Sequence, residues 1–233
     1  YEFKNKGINV YLEALNRLTR DKNLKKDVLA FINVPGWVGE VREDLRERLD
    51  SGKDYDTPLE CPFITHWLHN MSHDQVLDML KYLNMSNSVG TKVKVVFVPC
   101  YLDGKDGILN ELYYDLLIGT DLSVYPSYYE PWGYTPLESI AFKVPTITTD
   151  LAGFGLWVNS LTGKNATLQD GVKVIHRTDY NYSEVADTIK DTISEFSSLT
   201  STEINKIRKN AANIAEKALW KHFIQYYYEA YDI

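Results

Sequence analysis

The spacing of apolar residues changes period along the chain, and those changes mark its elements. Ile8, Tyr11, Leu12, Leu15 and Leu18 recur every three or four positions, which predicts a helix from Ile8 to about Arg20. Asp27 to Val34 (DVLAFINV) is a nearly unbroken apolar run closed by Pro35-Gly36, the pattern of a buried strand. Val38 to Leu49 predicts a second, heavily charged helix, and Ser51 to Pro62 a loop punctuated by Gly, Asp and Pro. Ser72 with Gln75 reads as a helix start, with Val76, Leu77, Leu80 and Leu83 along one side. Further strands are predicted at Lys92–Val98, Asp121–Tyr125, Pro145–Thr149 and Val172–Ile175. A turn is expected over Asp103–Gly107, a helix over Leu109–Ile118, and a loop built for close backbone approach over Asp150–Gly155. Helices close the chain at about Tyr182 to Phe196, Thr200 to Leu219 and on through Tyr231.

Strands alternating with helices predict an α/β fold, a doubly wound, mostly parallel Rossmann-like sheet. The expected organisation is one domain over 1–233, with an insertion at about 38–70 and C-terminal helices at about 182–231. In such sheets ligands bind beyond the carboxyl ends of the strands. The loops after Val98, Tyr125 and Thr149 should therefore share a rim.

Composition narrows the function classes. The chain has 233 residues, 44% of them hydrophobic and 24% charged, and no apolar run approaches transmembrane length. A balance of 25 basic against 32 acidic residues, net -7, argues against a nucleic-acid surface. No basic-then-apolar leader opens the chain, and it begins with Tyr rather than Met, as a fragment or excised domain would. Cys61 and Cys100 are too few for a disulfide scaffold, so a cytoplasmic location and no membrane partner are expected. The Asn-x-Ser/Thr matches at Asn70, Asn84, Asn165 and Asn181 are then chance.

Most of the chemistry gathers in Tyr128–Glu138 (YYEPWGYTPLE). Thr135 suits an N-cap, Pro136 the first helical position, and Glu138 the far corner of a capping box. Strand, Gly133-containing loop and helix start follow in that order. They aim free N–H groups and a positive dipole end at the rim, where an anion such as a pyrophosphate fits. Glu130 and Glu138 read either as a solvated loop acid and a cap, or as acceptors for sugar hydroxyls, since a carboxylate accepts two O–H bonds at once.

Five blocks carry a resemblance: YEFKNKG at Tyr1, ITHW at Ile64, KVKVVFVP at Lys92, SYYEPWGYTPLES at Ser127 and TTDLAGFG at Thr148. In this order, and with Glu-x7-Glu enclosing PWGYTP, the chain resembles the C-terminal, nucleotide-sugar-binding domain of animal and fungal glycogen synthases. These are retaining glycosyltransferases built from two Rossmann-like domains (the GT-B class). The likeness is weak between about Pro35 and Pro62 and in the C-terminal helices.

The resemblance implies transfer of glucose from UDP-glucose to the non-reducing 4-OH of an α-1,4-glucan such as glycogen, with no metal and no cofactor. It assigns Lys6 to the UDP phosphates, Glu130 to the donor glucose and Glu138 to the ribose. Thr135 and the backbone near Gly133 and Tyr134, with Trp132 beside them, would line phosphate or glucose oxygens. Tyr113 falls where the family stacks an aromatic on uracil; spacing alone fits a core aromatic as well. Lysine and helix N–H groups would oppose charge growing on the departing diphosphate.

Departures matter equally. The family's arginine immediately before Tyr1, the first strand, and the N-terminal domain holding the acceptor fall outside this sequence, so the chain alone is expected to be inactive. The stretch between Trp37 and Pro62 is shorter than the family's helical insertion. Where the family carries an arginine-dense helix that senses a sugar phosphate, Thr200–Leu219 offers a single arginine, Arg208, between Lys206 and Lys209, so that switch is expected to be weak or absent. His66, His69 and His73 are spaced so that their imidazoles could approach one another as metal ligands, but with no carboxylate or Cys ligand at fixed spacing they read first as surface or satisfied polar histidines; His176 and His222 show no partner pattern. No GxxxxGK[ST] occurs. The tyrosine-rich tail, Tyr226–Tyr231, is expected to pack on the missing domain, or to offer a homo-oligomer surface.

Overall fold

Helical spacing at the start of the chain yields the first element. In the computed structural model, which describes residues 1–232, α1 runs over Ile8–Leu18 and buries Val10, Leu12, Ala14, Leu15 and Leu18. Each such valine or leucine side chain removed from water contributes about 1.5–3 kcal/mol. The chain divides into two compact units: residues 1–116 with 186–198, and residues 117–185 with those from 199 on.

In the first unit, β1 (Val28–Asn33) pairs in parallel with β4 (Val93–Val98), Val28 opposite Val93 and Asn33 opposite Val98. Val93, Val95, Phe97 and Val98 are buried, which explains the apolar run. The helix α3 (Gln75–Tyr82) packs on α1. Its cap is Asp74 rather than Ser72: the Asp74 carboxylate accepts from the N–H groups of Val76 and Leu77, and residues 71–73 form a separate 3-10 turn.

The predicted helix over Val38–Leu49 is corrected by the structure. Val38–Val41 is a strand, β2, paired antiparallel with β3 (His66–Leu68), and only Glu43–Ser51 is helical, as α2. A partner 25 or more residues away overrides local periodicity here. The hinge between the two is Arg42, which is buried. Its guanidinium donates to the carbonyls of Cys61 (2.6 Å) and Glu60 (2.7 Å), pairs with Asp44 and lies 4.5 Å from the Trp67 ring centroid. A buried cation is tolerable only with such partners.

In the second unit, β5 (Ser123–Val124), β6 (Thr146–Thr149) and β7 (Val172–Ile175) are parallel and adjacent in that order. The fold is α/β with parallel strands, as the alternation predicts, with the parallel strands hydrogen-bonded in two sheets rather than one. The core of this unit joins Ile140, Phe154, Val158, Val172, Val174 and Ile214. Those residues come from β7, from α5 (Tyr134–Ala141), from α6 (Gly153–Thr162) and from α8 (Ser201–Lys217). The chain ends in α9 (Trp220–Tyr231). In chain order, α4 (Tyr113–Ile118) and α7 (Tyr182–Ser198) each run from one unit's residues into the other's.

Two readings at the rim of this unit are revised. The helix α5 starts at Tyr134 with Gly133 as N-cap and no side-chain cap bond there, so Thr135 falls inside the helix rather than at its cap. Gly133 has φ 111°, where a side chain is disfavoured, and its backbone makes the turn that the cap residue was expected to make. Pro136 falls at the third helical position, still among those whose N–H has no acceptor within the helix. The loop expected over Asp150–Gly155 becomes helix at Gly153. A Cβ at Gly153 would lie 2.3 Å from the Pro131 carbonyl oxygen, so this glycine lets α6 begin directly against the preceding loop. Among the described residues, no helix is long and apolar enough to cross a membrane.

Candidate functional site

The segment leaving β5 carries the two motif carboxylates, and its backbone is tied down at several points. The Tyr125 N–H donates to Ile147 O (2.8 Å), and the Tyr125 hydroxyl meets Ser139 Oγ at 2.9 Å, joining the strand end to α5. Pro126 O accepts from the Arg177 guanidinium, and Ser127 O accepts from Thr149 Oγ1 (2.7 Å). The Glu130 N–H then donates to Leu151 O (3.3 Å), while Glu130 O accepts from Gly153 N–H (3.1 Å). Trp132 O accepts from Phe154 N–H (2.7 Å). The β6–α6 connection therefore holds Glu130 through its main chain. Glu130 and Glu138 are half-buried, and Tyr129, Tyr134 and Thr135 are exposed beside them.

The structure thus places Glu130, Trp132, Gly133, Tyr134, Thr135 and Glu138 on one loop and helix start of the second unit. Trp132 sits differently from its expected neighbours. Its ring stands edge-on to Phe154 (6.2 Å between centroids) and Phe223 (5.6 Å) and tilted to Trp157 (5.8 Å). Partly buried, it packs the loop against the core. Lys6 and Tyr113 belong to the first unit. Lys6 is exposed, on the turn before α1, with its N–H on Glu2 O (2.8 Å). Tyr113 is half-buried at the start of α4, its N–H on Leu102 O (3.1 Å) and its ring 5.2 Å from that of Tyr114.

Three residues the sequence pattern passed over stand out. Arg177, directly after β7, is buried, and burial pushes its guanidinium below the usual arginine range, with Tyr182 opposing that. His176 has a partner after all: its Nδ1 lies 2.5 Å from Asp150 Oδ2. Asp150 Oδ1 accepts from the Arg177 N–H (2.9 Å). No local spacing signals these pairs, because 26 residues or more separate the partners. Arg208 on α8 is engaged with Asp121 (3.1 Å), while Lys206 and Lys209 beside it are exposed.

In the first unit the histidines do not act as a trio. His66 is buried, and its ligating atoms lie within 4.8 Å of those of Cys100 and Asp106. Such a donor set suits a borderline cation. Its groups are, however, already bonded. His66 Nε2 meets Asp106 O (2.7 Å) and Nδ1 meets Thr65 Oγ1 (2.9 Å), so a metal would have to displace a hydrogen bond. The Asp106 carboxylate accepts from the N–H groups of Ile108, Leu109 and Asn110. Burial raises the Asp106 carboxyl, but these donors outweigh it and hold the group below the usual range. Cys100 is pushed up to about 11, first by burial and then by the Asp106 charge. The cluster works as a latch for the loop after β4. His69 faces Trp37, with ring centroids 5.0 Å apart.

Parallel strands that lead through a glycine turn into a helix start put this loop at the carboxyl ends of the strands, where open α/β sheets bind their ligands. The chain belongs to the glycogen synthase family, whose pattern it matches over residues 45–233. It is 25% identical to glycogen [starch] synthase isoform 1 of Saccharomyces cerevisiae over 95% of this chain and 40% of that protein. To the Caenorhabditis elegans glycogen [starch] synthase it is 30% identical over 76% of this chain and 34% of that protein. With the human liver enzyme the identity is 28%, over 68% and 29% respectively. The chain therefore spans at most about two fifths of these relatives. The crystal structure of WaaG, a glycosyltransferase involved in lipopolysaccharide biosynthesis, superposes with a TM-score of 0.48 at 16% identity, covering 93% of this chain and 40% of that one.

Proposed function

We propose that this chain is the donor-binding part of a glycogen synthase that transfers glucose from UDP-glucose to the non-reducing 4-OH of an α-1,4-glucan with retention. The observation that carries the reading is the position of the Glu-x7-Glu pair, in a chain of this family, on the loop and helix start that follow a parallel strand. Glu138, in the first turns of α5, accepts the ribose hydroxyls. Glu130, fixed by its main chain, holds the donor glucose. The uncapped start of α5 and Lys6 oppose the charge that develops on the diphosphate as the glucosyl bond breaks. Tyr113 stacks on the uracil. With retention, the acceptor hydroxyl approaches from the face that UDP leaves, and as the glucosyl bond breaks its proton passes to the departing diphosphate. The acceptor is held by the part of the enzyme beyond this chain, so the chain by itself does not turn over.

The test is glucose transfer to glycogen by the full-length protein, with UDP-glucose and ADP-glucose compared and the anomeric configuration of the new linkage read by NMR. Transfer from UDP-glucose into an α-linkage supports the reading. Preference for another nucleotide sugar would reassign the donor, and absence of any transfer would make the chain a non-catalytic module on this fold.

A further inference from the structure

Resting on that reading, we propose that Arg177 is the positioning residue for the Glu130 loop, acting through the carbonyl of Pro126 and the ring of Tyr128. The chain leaves the sheet at Pro126, because β5 ends at Val124 and the last strand-like bond is Tyr125 N–H to Ile147 O. Beyond that point the carbonyl has no strand partner, and a buried carbonyl left unbonded costs about 1–3 kcal/mol. Pro126 is buried, and the Arg177 guanidinium supplies the missing donor.

The same guanidinium lies 5.3 Å from the centroid of the Tyr128 ring, close enough for a cation–π contact. It therefore grips two points on the four-residue path from Pro126 to Tyr129, where main-chain bonds to the β6–α6 connection are sparse. Thr149 Oγ1 holds Ser127 O, and the next such bonds come only at Glu130. Arg177 is itself held from behind: Asp150 Oδ1 accepts its N–H, and Asp150 N–H donates to Ile175 O (3.0 Å). Asp150, Arg177, Pro126 and Tyr128 thus form one chain of contacts from the end of β7 to the residue pair before Glu130.

A buried guanidinium is an expensive way to satisfy one carbonyl. Its planar, fixed geometry suits a clamp that must set a direction, which a flexible ammonium does less well. The consequence is specific. Glu130 acts on the sugar near the reacting carbon, whereas nucleotide affinity depends on α5 and Glu138. Loosening the segment ahead of Glu130 should therefore slow chemistry and spare UDP binding.

The experiment uses the full-length protein with Arg177→Met and Arg177→Lys. In Arg177→Met, kcat for transfer from UDP-glucose is expected to fall about 100-fold, the effect of a misplacement of about 1 Å. The KM for UDP-glucose and the inhibition constant of UDP should stay within about twofold, the signature of a loss confined to the transition state. Arg177→Lys, which restores a donor but not the flat stacking, should recover part of kcat. Hydrogen exchange should quicken at the amides of residues 127–130 and stay unchanged in β6 and β7. An unchanged kcat overturns the proposal. So does a joint loss of kcat and UDP affinity with faster exchange throughout the sheet. If Arg177→Met does not fold, the same readouts on Arg177→Lys decide. If the wild-type protein transfers no glucose, the functional reading fails by itself. Exchange at residues 127–130 then judges Arg177 alone: faster exchange upholds the anchor and unchanged exchange refutes it.

Discussion

The loops that follow β4 and β5 each leave the end of a parallel strand, one in each unit, and are fixed in different ways. After β4, Asp106 spends both oxygens on three backbone N–H groups, and His66 closes the turn through Asp106 O. After β5, Glu130 is placed by its main chain, and the anchoring falls to other residues: Arg177, Thr149 and the start of α6. The contrast lies in how each loop is fixed: by a carboxylate on backbone N–H groups after β4, and by main-chain bonds with the Thr149 and Arg177 side chains after β5.

The strongest way to break that comparison is to neutralise each carboxylate in turn. In the full-length protein, Glu130→Gln is expected to cut glucose transfer by about 100-fold or more while leaving the melting temperature nearly unchanged, since it removes a positioned contact to the reacting sugar. A stability loss with activity retained would reverse the assignment.

Gly153→Ala sharpens the anchoring half. The added Cβ meets Pro131 O at 2.3 Å, and relieving such overpacking costs about 1–3 kcal/mol. Thermal unfolding should show that loss together with reduced UDP-glucose turnover, because the displaced Pro131 adjoins Glu130.

Asp106→Ala probes the structural loop. The lost bonds should destabilise the protein by about 1–3 kcal/mol without altering donor affinity. The pH dependence has a definite sign. The Asp106 carboxyl lies below its ordinary value in the folded protein, so its contribution is complete above the unfolded value of about 3.9 and disappears as pH falls through the lower folded value. Denaturant titrations of wild type and Asp106→Ala should converge in that acid range. A constant gap down to the lowest pH would refute the bonding role.

The smallest effect is expected from glucose 6-phosphate. Arg208 is engaged with Asp121, and Lys206 and Lys209 beside it on α8 are exposed. Activity of the full-length protein should change by less than about tenfold on adding the sugar phosphate, at the low end of allosteric coupling. A larger activation would show that this helix senses it nonetheless.

What could be read before the structure follows from the range of the forces involved. Strands such as Val93–Val98 announce themselves because burial on both faces requires a continuous apolar run. The motif residues Glu130 to Glu138 were legible because strand, glycine turn and helix start are adjacent in sequence. The Val38–Val41 strand was not, since its antiparallel partner lies beyond a loop and a helix and its charged surroundings follow a helical period. The cap at Gly133 was misplaced by one turn of reasoning: Thr135, Pro136 and Glu138 spell a capping box, but a glycine at positive φ starts the helix earlier. Arg177 and the Asp150–His176 pair left no local trace, because their partners meet only when β6 and β7 align.

The central claim is that the start of α5 binds the nucleotide of a sugar donor through Glu138. Calorimetric titration of the full-length protein with UDP, for wild type and Glu138→Ala, tests it most directly. The account predicts saturable UDP binding that Glu138→Ala weakens by about tenfold or more, the worth of a charge-assisted hydrogen-bond pair, in a protein that still melts cooperatively. UDP binding of equal affinity in a folded Glu138→Ala protein would contradict it.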